Sequence, residues 1–269
     1  MSGFSAEWLA LREPHDLRAR NPVVLDAVTA ALEGLSPLRI VDLACGTGST
    51  MRALGPYLPA GQSWKLIDND LGLLARAKAT PLATSATVTA VLLDLNRDLE
   101  AALDGPVDLV ATSALLDLVS PAWLERFVFE TAARKLPVYA ALSYDGRISL
   151  DPADPLDSKI VAAVNRHQRT DKGFGPALGP AAAAEAVASF ERLGYSLVQG
   201  RSDWVFGPDD RDIQLETVAG WAGAARDIGD LSLGDIANWL VRRREAIATG
   251  RSSLRVGHVD FFASPPQAR

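Results

Sequence analysis

Cys45 is the only cysteine in 269 residues, which excludes an intrachain disulfide framework and a cysteine zinc cluster. His15, His167 and His258 are the only histidines, and none has zinc-protease spacing, so the sequence reads as a poor metal binder. Long hydrophobic runs are also missing: none approaches the roughly 18 apolar residues needed to cross a bilayer. Charges interrupt Met1–Arg20, which lacks the basic start and apolar run of a secretory signal. Basic residues are outnumbered, with 27 Lys and Arg against 33 Asp and Glu, a net charge of −6 that disfavours a phosphate backbone as the main ligand. The run Arg242-Arg243-Arg244 fits a solvated helix face. These absences together read as a cytoplasmic protein with neither membrane nor nucleic acid as partner.

What the sequence does contain is alternation. Phe4–Leu17 reads as a short helix, and Pro22 opens another in which Leu25, Val28 and Leu32 recur at helical spacing. Strands follow at Leu38–Leu43, Ser63–Asp68, Val88–Leu93, Val107–Ala111 and Val138–Ser143, with helices between them, including Thr50–Leu58, Leu71–Ala79 and Trp123–Lys135. Strand and helix alternating in this way imply a parallel sheet with right-handed crossovers and helices on both faces. Helices are then expected over Leu156–His167 and Pro180–Leu193, and a strand near Tyr195–Phe206. Two more helices follow, Asp209–Arg226 and Ser232–Ile247, the second opened by the capping pattern Ser232-x-x-Asp235. Leu254–Ala263 closes the chain as a strand. We read one domain over 1–269: N-terminal helices 1–37, a core 38–145, a lid 146–179, and a helical insertion 207–250 before the last strand.

The strongest local signal is Asp42-Leu43-Ala44-Cys45-Gly46-Thr47-Gly48-Ser49, a glycine bend directly after a strand. Glycines there let the backbone approach a ligand and present N–H groups. A dinucleotide fingerprint is not met, because its third glycine would fall on Met51, and the phosphate-loop lysine is absent too. Three acids accompany the bend. Asp42 either meets a ligand's ammonium group or braces the Gly46–Ser49 turn. Asp68, 20 residues beyond Gly48, either accepts from ribose hydroxyls or caps the helix Leu71–Ala79. Asp94 ends the third strand, where it or nearby Asn96 or Asp98 can meet an adenine amino group. Cys45 fits loop packing better than a nucleophile.

These residues resemble the class I S-adenosylmethionine-dependent methyltransferases, whose acid-x-x-x-Gly-x-Gly hallmark matches Asp42 to Gly48 over a stretch of likeness covering about residues 22–145. The resemblance implies an α/β fold with a Rossmann-like, seven-stranded, mostly parallel sheet of order 3-2-1-4-5-7-6. It also implies S-adenosylmethionine as cofactor and S-adenosylhomocysteine as product. The cofactor residues it suggests are Asp42, Ala44, Cys45, Gly46, Thr47, Gly48, Asp68, Asn69, Asp94, Leu95 and Ser113. One departure is the stretch of about 45 residues between the last two strands, where the family commonly has a short turn; a cap or a homodimer contact would account for it.

Methyl transfer from a sulfonium needs alignment and exclusion of water, and needs a base only where the acceptor loses a proton. Candidate acceptor-side residues are therefore polar groups beyond strands four and five and in the dense segment 165–175. Asp117 and Tyr144 are candidates for both catalysis and substrate binding, and His167 is a candidate base. Arg166, Arg169 or Lys172 would grip an anionic group, with Trp204 as a further substrate wall. Arg18, Arg20 and Asn21 are placed to fold over the cofactor, while His258 alternates with apolar residues and reads as structural. The expected activity is methyl transfer to a polar or anionic small molecule, the alternative being a non-catalytic cofactor-binding scaffold or sensor.

Overall fold

In the computed structural model, which describes residues 4–79 and 86–266, two helices precede the sheet: α1 (Ala6–Ala19) and α2 (Pro22–Ala31). Asn21 caps α2 by accepting from the Val24 N–H, and Pro22 sits in the first turn, where its missing donor costs nothing. The alternation then runs β1 (Leu38–Leu43), α3 (Ser49–Leu54), β2 (Gln62–Asp68), α4 (Leu71–Ala79), β3 (Ala86–Leu92), α5 (Leu99–Ala102), β4 (Leu109–Ser113), α6 (Pro121–Ala133) and β5 (Val138–Asp151). The second half adds α7 (Asp157–His167), α8 (Ala182–Arg192), β6 (Ser196–Arg201), β7 (Trp204–Phe206), α9 (Arg211–Ile228), α10 (Leu233–Ala248) and β8 (Ser253–Ser264).

The sheet order is β3-β2-β1-β4-β5-β8-β6, with β7 also paired to β8. β1 to β5 are parallel, and β8 runs antiparallel to β5, β6 and β7. This is the expected order, with the sixth strand divided in two. The division falls at Ser202-Asp203, where Asp203 accepts from Arg147, Arg255 and the His258 N–H instead of continuing the ladder.

β5 is much longer than the sequence suggested, because Tyr144–Asp151 pairs with β8 across a register shift between Tyr144 and Ile148 rather than leaving the sheet. Asp145-Gly146, expected just beyond the strand, lies at this shift, where the strand bulges. Gly257 of β8 makes room for it, since a Cβ there would collide with Asp145 Oδ1. The expected lid therefore loses its first residues to the sheet.

Period-two alternation divides the core. Val41 and Leu43 of β1 face Trp123, Phe127 and Phe190 on the side of α6 and α8. Leu38 and Ile40 face the opposite way, towards Val24 and Val28 of α2 and Met51 of α3. A third apolar cluster joins Ile160 and Val164 of α7 to Ile213 and Trp221 of α9 and Trp239 of α10. The insertion is thus packed onto α7 and the far end of β5. Among the described residues, no helix is long and apolar enough to cross a membrane.

Candidate active site

At the end of β1 the chain turns on three left-handed residues, Ala44 (φ +53), Gly46 (φ +54) and Gly48 (φ +82). The Gly46 N–H donates to Asp68 Oδ2 at 2.8 Å, and the Asp70 N–H donates to Asp68 Oδ1 at 3.0 Å. Burial pushes the Asp68 carboxyl above its ordinary range, against the pull of those backbone donors. Capping of α4 falls to Asp70, whose Oδ1 accepts from the N–H groups of Gly72 and Leu73. Asp68 is thereby left to brace the glycine loop and face a cavity.

That cavity, about 500 Å³, opens over the carboxyl ends of β1, β2, β3 and β4. Ala44, Cys45, Gly46, Thr47, Asp68, Asn69, Asp94, Leu95 and Ser113 all line it. Asp94 lines the cavity and accepts from the Asn96 N–H at 3.0 Å, while the Asn96 side-chain amide donates to the Gly173 carbonyl at 3.0 Å. A second left-handed alanine, Ala114 (φ +52), ends β4 in the same cavity. Left-handed non-glycine residues are uncommon, and strain of this kind concentrates at functional sites.

Two residues of the hallmark stay outside. Gly48 packs under Ala77 of α4. Asp42 lies on the Leu38 and Ile40 face of β1 and is fully buried, with the Thr50 side chain of α3 beside its carboxylate. Burial pushes its carboxyl up to about 8. Sequence proximity to the glycines does not bring it to the cavity, because the strand's alternation points it beneath α3. The Cys45 thiol is buried and pushed far up, which suits a packing role.

The opposite wall comes from distant parts of the chain. Phe4, Leu9, Arg12 and Asp16 reach it from the N-terminal segment, Leu115 and Leu118 from the turn after β4, and Lys172 to Phe174 from the loop after α7. Arg12 Nε donates to Asp16 Oδ2 at 2.8 Å, and the Trp204 indole donates to Asp16 Oδ1 at 2.8 Å. α1 is fastened to the glycine loop through Arg52, which donates to Glu13 at 2.7 Å and to the Thr47 carbonyl at 2.6 Å. Leu9 lies so near that a Cβ on Gly46 would sit 3.2 Å from its Cδ1. Sequence reasoning missed Arg12 and Asp16, although their i, i+4 spacing was a usable signal. Of the residues expected to fold over the cofactor, Arg20 approaches: it is buried and donates to Ser113 Oγ and Tyr139 OH. Asn21 caps α2, and Arg18 pairs with Asp210 on the far side.

Most of the expected acceptor-side residues do not line the cavity. Trp204 is buried beneath it among Trp8, Phe206 and His258. The Tyr144 hydroxyl is committed to Asn165 Oδ1 at 2.6 Å, and burial raises its phenol further. Arg166 pairs with Asp230 at the surface, and Arg169 donates to the Asn165 carbonyl. Asp117, in a short turn over Leu116–Leu118, is buried with Oδ1 unpartnered and its carboxyl pushed up to about 6 by that burial. His167 stands behind Lys172, with Nδ1 at 3.2 Å from the lysine Nζ and Nε2 at 3.6 Å from Asp227. These residues were chosen for lying near strand ends or in a polar segment; tertiary packing turned them away. Lys172 alone of the three grip candidates lines the cavity. Among the described residues there is no metal-holding group of His, Cys, Asp and Glu.

No family model matches the sequence, and no curated protein does. Solved structures do match. A cyclopropane-fatty-acyl-phospholipid synthase-like protein from Lactobacillus casei is similar with a TM-score of 0.54 and 16% identity, over 97% of this chain and 94% of that one. The cyclopropane synthase MmaA2 from Mycobacterium tuberculosis is similar with a TM-score of 0.51 and 12% identity, over 97% and 95%. The chain shares their fold, a Rossmann-like, mostly parallel sheet with helices on both faces. At such identities the likeness speaks to the fold, and the chemistry must be argued from the cavity.

Proposed function

We propose that the protein transfers a methyl group from S-adenosylmethionine to a polar small-molecule acceptor. One observation carries this reading: the glycine loop and the carboxylates of Asp68 and Asp94, from the ends of adjacent strands, face one cavity. The donor set fits a nucleoside cofactor. Asp68 keeps lone pairs beyond the two backbone bonds it accepts and would receive the ribose hydroxyls. Asp94, one strand further out, would receive the adenine amino group. Ala44 to Thr47 would lie along the rest of the cofactor, with Asn69, Leu95 and Ser113 around it. Bound there, the cofactor supplies an electrophilic methyl on a sulfonium.

The chain's own part is to align the acceptor and keep water out. α1, fastened by Glu13 and Arg52, covers the loop side, and Phe174, held against Trp123, closes the other. Apolar Leu9, Leu115 and Leu118 with the few polar groups Arg12, Asp16 and Lys172 suit a polar acceptor with an apolar body.

Calorimetric titration with S-adenosylmethionine, S-adenosylhomocysteine and NADH tests the reading. Micromolar binding of the first two and none of NADH is expected. Absence of binding by all three overturns it. Cofactor binding without turnover across an acceptor panel would favour the non-catalytic scaffold.

A further inference from the structure

Lys172 stands on the acceptor wall in a setting unlike that of the other cation there. Arg12 is committed to Asp16, whereas the Nζ of Lys172 meets two uncharged groups, His167 Nδ1 at 3.2 Å and Thr170 Oγ1 at 3.0 Å. The Thr170 hydroxyl donates its own proton to the His167 carbonyl at 2.8 Å, so its oxygen is left to accept from the lysine. Asp227 of α9, 3.6 Å from His167 Nε2, favours the proton on that nitrogen and leaves Nδ1 as an acceptor. A neutral amine placed here uses both N–H groups and keeps a lone pair. Among the described residues, no carboxylate lies within ion-pair distance of the amine to hold it as an ammonium.

The charged groups around it come from every neighbouring element. Asp227 on α9 and Asp117 after β4 favour the ammonium form, burial opposes it, and burial prevails, so the lysine titrates below its ordinary value. Arg12 on α1 acts on the same Asp117. Asp171 is occupied by the N–H groups of Gly173 and Gly175, bonds that shape the loop carrying the lysine.

We propose that Lys172 is the general base of the reaction, taking the proton of an acceptor hydroxyl or amine, and that His167 and Asp227 position its amine. The proposal rests on the methyl-transfer reading above and narrows the acceptor to a molecule that loses an O–H or N–H proton. The acceptor oxygen or nitrogen attacks the methyl carbon with its lone pair while the carbon–sulfur bond breaks, both electrons staying on sulfur. The acceptor proton moves to Lys172 Nζ and then to solvent. A sulfonium and a neutral acceptor thus give a thioether, a methylated acceptor and one proton. His167 does not line the cavity and is a positioning residue.

The chain has five lysines, at 65, 78, 135, 159 and 172, so side-chain [6-13C]lysine spectra can follow each through a pH titration. Lys172→Met assigns the signal by its loss, with the wild-type protein measured alone and with S-adenosylhomocysteine. Lys172 is expected to titrate below the ordinary lysine value of about 10.4. A Lys172 titrating at or above that value overturns the assignment. In 15N-histidine spectra, the His167 ring is expected as the Nε2–H tautomer in the wild type, with its Nδ1 resonance shifting in Lys172→Met as the contact with the amine is lost. An unchanged ring overturns the positioning role. Calorimetry on the same samples separates the two failures. Wild-type protein that binds S-adenosylmethionine but has an ordinary Lys172 removes the base alone, and protein that binds no cofactor removes the methyl-transfer reading itself.

Discussion

The two walls of the cavity are built by different means. The wall proposed for the cofactor comes, apart from Ser113, from one stretch, residues 44–95, folded so that successive strand ends lie side by side. Its carboxylates are held by backbone N–H groups: Asp68 by Gly46 and Asp70, Asp94 by Asn96. The acceptor wall joins the N-terminal segment, the turn after β4 and the loop after α7, and side chains hold its polar groups, as in Arg12–Asp16–Trp204 and Lys172–His167–Asp227. Backbone-held groups follow the local chain path, which short sequence patterns encode. Side-chain networks exist only once distant helices have packed, and each member depends on the others.

The largest effect should come from breaking the backbone-built wall. Gly46→Val places a β-branched residue at φ +54 with its Cβ against Leu9. A loss of about 1–3 kcal/mol in stability is expected from the strain, together with loss of measurable cofactor binding by calorimetry. A variant that binds like the wild type would show that the loop does not depend on this geometry. Asp68→Ala leaves the Gly46 N–H unpaired and removes the proposed ribose ligand, so affinity for S-adenosylmethionine should fall by about 1–3 kcal/mol. Unchanged affinity would remove that assignment.

Asp42 sharpens the comparison in another way, since it belongs to the hallmark but faces neither wall. Its carboxyl titrates at about 8 in the folded chain, against about 3.9 when unfolded. Between those values the folded state holds a proton that the unfolded state has lost, so this residue's contribution to stability falls as pH rises through the window and is level above it. Asp42→Asn removes the contribution. Urea unfolding should show the variant gaining on the wild type from about pH 4 to about pH 8. A difference that is flat across the window would mean that Asp42 is ionised in the fold and answered by Arg20.

The smallest effect is expected at Arg166, an exposed partner of Asp230 outside the cavity. Pairs of this kind contribute about 0–1 kcal/mol. Arg166→Ala should leave cofactor affinity unchanged and cost little in thermal unfolding. A clear loss of affinity would bring the α7 surface into the site.

Legibility followed the same division. Strand β1 was readable to the residue, and the parallel core followed from the alternation, because parallel strands need crossover helices; the sheet order came from the family resemblance. The Ser232 cap of α10 was readable too, since it joins groups three residues apart. The run of β5 past Ser143 was not, because the bulge at Asp145-Gly146 needs the space left by Gly257 far along the chain. Trp204 and Tyr144 were drawn to the site by their position near strand ends, whereas burial and the partners Asp16 and Asn165 claimed them.

By itself, then, the sequence determined the parallel core, the glycine bend and the acids at the ends of its second and third strands, all features carried by residues close together in the chain. Only the tertiary structure decided that Asp42 points beneath α3, that α1 closes over the bend, and that Lys172 rather than His167 meets the cavity. A residue's type and spacing state what chemistry it can do. Which way its side chain faces, and what stands beside it, is settled by packing between segments that no local pattern connects.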